Sequence, residues 1–89
     1  MRDEVRAFVL KSLRDMNYDV EGVDDETTLG PSGLDLESLA LADLLMHAED
    51  HYHIRFRAEE SEQLALMTVG EFSAAVVDRV AETAGSKQA

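Results

Sequence analysis

The stretch Gly33-Leu34-Asp35-Leu36-Glu37-Ser38-Leu39-Ala40-Leu41-Ala42-Asp43-Leu44 marks where a polar loop gives way to a long apolar-periodic run. Downstream of Ser38, Leu41, Leu44, Leu45, Ala48 and Tyr52 recur at spacings of three and four, the signature of a helix with one buried stripe. A helix over residues 37–52 is therefore expected. Leu39, Ala42 and Met46 form a second, partly exposed row, and Asp43, Glu49 and Asp50 the polar side. Ser38 stands at the helix start among carboxylates. It can be a cap, because hydroxyl and carboxylate oxygens accept bonds from the free N–H groups of a first turn. It can also be an attachment point for a prosthetic group.

Upstream, Val5, Phe8, Val9, Leu13 and Met16 share one face of an expected helix over 2–16, with Arg2, Arg6, Lys11 and Arg14 off that stripe. Asn17 and the acids after it end this helix. Residues 17–36 form a long connection punctuated by Gly22, Gly30-Pro31 and Ser32-Gly33, with Val20, Val23, Leu29 and Leu34 as pegs on the core. A connection of about 20 residues is unusual in a compact domain and is often functional. Downstream, His53-Ile54-Arg55-Phe56-Arg57 reads as an extended connector with Ile54 and Phe56 buried. A short helix is expected over 59–65, anchored by Leu64 and Leu66. Thr68 and Glu71 have capping-box spacing. A last helix is expected from Val69 to about Thr83, burying Val69, Phe72, Val76 and Val80. Gly85 is expected to close it, with a frayed tail over 84–89. The expected fold is all-α: one domain over 1–89, a small antiparallel helical bundle with three main helices, one short helix and a long first loop.

Composition narrows the function. Eighty-nine residues bury a thin core, a poor support for a catalytic cleft with several buried polar groups. The absence of Cys excludes a disulfide or thiolate metal site. No apolar run reaches membrane-spanning length, and Met1-Arg2-Asp3-Glu4 lacks an apolar signal core, so a cytoplasmic protein is expected. The chain has 19 acids against 8 bases, a net charge of -11, and no Lys or Arg between Arg14 and Arg55. Such a field repels nucleic acid and anionic lipid and attracts basic protein surfaces. His47 and His51 are spaced i, i+4, but Ala48 stands where a zinc metalloprotease needs Glu. The acids of 19–26 do not follow EF-hand spacing. No nucleophile elbow surrounds Ser38, which disfavours hydrolase chemistry.

The run from Gly33 to Leu44 resembles the attachment motif of acyl carrier proteins, an acid-Ser-Leu followed by a second acid. Glu37 stands where that family usually has Asp, and Asp43 where it usually has Glu. Met46, Glu49, Asp50 and Tyr52 resemble the family's closing of its second helix, His53-Ile54-Arg55-Phe56 its apolar connector, and Thr68-Val69 the opening of its last helix. The likeness runs from about Val5 to Val80, and the stretch before Thr68 is slightly longer than in compact fatty-acid carriers. The resemblance implies that Ser38 accepts 4′-phosphopantetheine from coenzyme A, and that the chain is a non-catalytic, monomeric shuttle of acyl or aminoacyl thioesters. It also implies docking through Glu37, Leu39, Ala42, Asp43, Met46, Glu49 and Asp50 to basic grooves on a phosphopantetheinyl transferase, an acyl-loading enzyme, a ketosynthase or other synthase domains. Gly33-Leu34-Asp35-Leu36-Glu37, in place of the Gly-Gly often seen in peptide carriers, leans toward polyketide, fatty-acid or other specialised biosynthesis, antibiotic formation included. The alternative is an unmodified acidic helical adaptor that binds a basic protein, with Ser38 serving only as a cap.

Overall fold

A computed structural model describes residues 2–88. It is an all-α bundle in which α1 (Arg2–Asp15), α2 (Ser38–Tyr52) and α4 (Val69–Gln88) enclose the core, and a 3-10 turn (Ala58–Glu60) leads into the short α3 (Ser61–Ala65). The core is Val5, Val9 and Leu13 of α1, Leu41, Leu44, Leu45 and Ala48 of α2, and Val69, Phe72 and Val76 of α4, closed by Leu29, Ile54 and Leu64. These are the apolar stripes of the sequence, apart from Phe8, Met16, Tyr52, Phe56 and Val80, which are half-buried at the margins. None of the described helices is long and apolar enough to cross a membrane.

The helix ends follow local chemistry. Asp3 and Glu4 lie in the first turn of α1 and Arg14 in its last, complementing the helix dipole. Asn17 takes the left-handed conformation at φ 72°. Its N–H donates to the Arg14 carbonyl (2.9 Å) and that of Tyr18 to the Leu13 carbonyl (2.9 Å), which makes a Schellman stop. At the start of α4 the Thr68 N–H donates to Glu71 Oε1 (2.9 Å) and the Glu71 N–H to Thr68 Oγ1 (3.1 Å), so the capping box is complete.

Two expectations are corrected. Leu66 does not anchor α3: it is 80% exposed, and Leu64 alone carries that role. In a helix two positions are about 200° apart, so Leu64 and Leu66 point away from each other. Gly85 does not close α4, whose backbone runs on through it to Gln88. A glycine stops a helix only when the chain turns left-handed there; inside a helix it is a cost of about 1 kcal/mol relative to Ala. Of the expected frayed tail, Ala89 lies outside the described residues.

The long connection is tied down on two sides. Its middle, Asp25 to Leu29, runs against the residues that open α4: Leu29 N–H donates to the Met67 carbonyl (3.0 Å), Val69 N–H to the Thr27 carbonyl (2.8 Å) and Gly70 N–H to the Asp25 carbonyl (2.9 Å). Thr28 and Thr68 form an antiparallel bridge. On the other side, Leu34 N–H donates to the Thr28 carbonyl (2.8 Å) and Leu36 N–H to the Leu29 carbonyl (2.9 Å). The connection is thus a strap laid between the start of α4 and the approach to α2. Arg6 holds Asp25 at 3.2 Å from α1, with Arg2 at 3.7 Å.

Candidate functional site around Ser38

Ser38 is the first residue of α2 and is exposed. It is not the cap. Glu37 occupies the N-cap position with extended backbone (φ -77°, ψ 165°), no side chain makes a cap hydrogen bond, and no acid lies in the first turn. The Glu37 carbonyl accepts the first helical bond, from Leu41 N–H (2.9 Å). Ser38 therefore presents a primary hydroxyl to solvent beside first-turn N–H groups that lack helical acceptors and can donate to an anion on that oxygen, against the adjoining carboxylates of Asp35 and Glu37. The residues present fit a phosphodiester there.

The expected docking residues run from the N-cap Glu37 along α2 to Asp50, about 18 Å beyond Ser38 at helical rise. Leu39 is 80% and Met46 54% exposed, and Glu37, Ala42, Asp43 and Asp50 are exposed with them. These apolar side chains already stand in water along the helix, edged by acids. Glu49 is different. Its Oε2 accepts the Phe56 N–H (2.8 Å), and its carbonyl accepts His53 and Ile54 N–H, so Glu49 organises the exit from α2 as well as edging the surface.

A cleft of about 180 Å³ opens directly beside Ser38, between Leu41, Ala42 and Leu45 of α2 and Ser61, Glu62 and Ala65 of α3. Its α3 wall was not singled out in the sequence, where Ser61 and Ala65 show only their i, i+4 spacing. Nor was the cluster that ties α4 to the connector after α2. Arg79 of α4 donates to both carboxylate oxygens of Glu60 (2.9 and 2.7 Å) and to the Arg55 carbonyl (2.8 Å), and lies 5.1 Å from the Phe56 ring centre. The hydrogen bond from Arg79 holds the Glu60 carboxyl below its ordinary range. On the opposite seam His51 stacks on Phe8 at 4.4 Å, with Tyr52 edge-on to both. Both His51 and His47 are exposed, but His51 lays its ring on an aromatic pair.

Comparison of the chain with protein-family models, with curated proteins and with solved structures finds no match.

Proposed function

We propose that the protein is a carrier that bears 4′-phosphopantetheine on Ser38 and delivers acyl or aminoacyl intermediates to partner enzymes of polyketide, fatty-acid or related biosynthesis. The observation that carries this reading is the exposed, uncapped Ser38 hydroxyl at the head of α2, set inside the acid-Ser-Leu phrase and next to solvent-facing Leu39. The loading step forms a bond from Ser38 Oγ to the phosphorus of the pantetheine phosphate and breaks the pyrophosphate link of coenzyme A. Adenosine 3′,5′-bisphosphate leaves, and the serine proton passes to a base on the transferase. When bound, the arm supplies the thiol for thioester chemistry, which a chain without Cys cannot provide itself.

The chain's own part is to expose the hydroxyl, to set first-turn N–H groups beside the phosphate, and to present a recognisable face. An apolar row edged with carboxylates makes fast, salt-sensitive contacts, which a shuttle needs because tight binding would stall it. The cytoplasm, where coenzyme A is plentiful, is the setting this chemistry requires.

The test is a mass measurement after incubation with coenzyme A and a broad-specificity phosphopantetheinyl transferase. One added arm is expected on the wild type and none on Ser38→Ala. A wild-type mass that never changes, with the transferase active on a control carrier, rejects this reading and favours the unmodified adaptor.

A further inference from the structure

The first turn of α2 lacks the usual supports: no side-chain cap hydrogen bond, no acid within the turn itself, and an exposed serine as first residue. A missing cap alone withholds about 1 kcal/mol from a helix end. Just before it, Asp35 sits in the left-handed region at φ 54°, a conformation that costs a non-glycine residue about 1 kcal/mol. Order at Ser38 must therefore come from outside the helix. The nearest tie is the Leu36 N–H bond to the Leu29 carbonyl, one residue before the N-cap.

That tie depends on a close approach at Gly33. A Cβ on Gly33 would run into the Thr28 carbonyl oxygen and lie 2.8 Å from both the Thr28 nitrogen and Oγ1. Two of these three atoms are backbone, so no side-chain rotation relieves the clash. The Thr28 carbonyl is also the acceptor for Leu34 N–H, and Thr28 is bridged to Thr68 at the mouth of α4. Gly30, three residues earlier, is different. A Cβ there would meet only the Ala65 carbonyl oxygen, at an ordinary 3.4 Å.

We infer that Gly33 is a positioning residue for Ser38: its bare backbone lets residues 33–36 seat on the strap, and this seating keeps the first turn of α2 wound with the serine hydroxyl held for reaction. The inference rests on the proposed carrier function for its kinetic consequence and on geometry alone for its structural one. In-line transfer to phosphorus is sensitive to placement, and a 1 Å error can cost roughly 100-fold in rate. The docking row beyond Ala42 lies deeper in α2 and keeps its place, so recognition survives when the first turn frays.

The experiment compares wild type, Gly33→Ala and Gly30→Ala as substrates for the phosphopantetheinyl transferase with coenzyme A, at a temperature where circular dichroism shows all three folded. Gly33→Ala is expected to lower kcat about tenfold or more with KM changed by less than about twofold, and Gly30→Ala to change neither. An unchanged kcat in Gly33→Ala, a loss carried by KM, or an equal loss in Gly30→Ala overturns the inference. Amide hydrogen exchange provides an arm independent of loading, and it decides the matter where Gly33→Ala does not fold or where the wild type itself proves not to be a substrate. In the wild type the Leu36 and Leu41 amides are expected to exchange in step with Leu29 and Val69. Leu36 and Leu41 exchanging well ahead of those two overturns the inference. Failure of wild-type loading with matched exchange would sink the carrier reading and leave the role of Gly33 standing.

Discussion

Ser38 makes no cap hydrogen bond, so its hydroxyl contributes nothing to the helix that bears it. Ser38→Ala is therefore expected to shift stability by less than about 0.5 kcal/mol, where loss of a true cap would cost about 1 kcal/mol. Chemical denaturation measures the difference directly, and a loss of cap size would return Ser38 to a structural role. His53 offers the converse case. It ends α2 in the left-handed conformation at φ 56°, where only glycine is free of strain. His53→Gly is expected to stabilise the fold by roughly 1 kcal/mol, less the entropy glycine adds to the unfolded chain, seen as a higher denaturation midpoint at unchanged slope.

Among the α-helices, α3 is the shortest and is held by little. Leu64 is its single buried residue, and the Glu60 carboxylate just before it is gripped by Arg79. Arg79→Ala is expected to cost about 2 kcal/mol, since charge-assisted bonds in a mostly shielded site exceed those of exposed pairs. Amide exchange over 58–66 should quicken more than over α1. The pH dependence has a definite sign. Glu60 titrates lower when folded than when unfolded, so between those two values the unfolded chain binds more protons. The stability it lends is fully present above the ordinary glutamate range near 4.3 and is lost as pH falls through the lower folded value. Glu60→Gln should flatten that part of the acid unfolding curve, followed by circular dichroism.

The helices and their inner faces were legible because three-and-four spacing survives folding unchanged, as with Val5, Val9 and Leu13 or Leu41, Leu44, Leu45 and Ala48. The capping box was legible because both partners lie within one turn. What escaped the sequence was contact over distance. Arg79 meets Glu60 across 19 positions, and Thr28 meets Thr68 across 40, with nothing local to announce either. Leu64 and Leu66 looked equivalent until the helix turned one inward. Ser38 looked like a cap because it is the residue type caps prefer, yet the chain bends one residue earlier, at Glu37. The serine was legible as a candidate; its neighbours Ser61 and Ala65 across the cleft were not.

Taken as one body, the molecule is strongly acidic and rests on a small core. Phe72 is fully buried between the helices, with the half-buried Phe56 6.3 Å away in a stacked pair, so Phe72→Ala should cost about 3–5 kcal/mol, enough to unfold much of a domain this size. With a net charge of -11, encounter with the proposed basic partner would depend on ionic strength. Raising salt well above 0.1 M, where the screening length is already about 10 Å, should raise KM for a basic partner with little change in kcat. A KM indifferent to salt would argue against docking through the acidic row.

The bridge between Thr28 and Thr68 also orders events during synthesis. A nascent chain that has released α1 and α2 but still holds its final third in the ribosome has no Met67 or Val69 for the loop to lean on. Ser38 is then already translated but not yet seated, and under the proposed carrier function its loading would wait until the last helix has emerged.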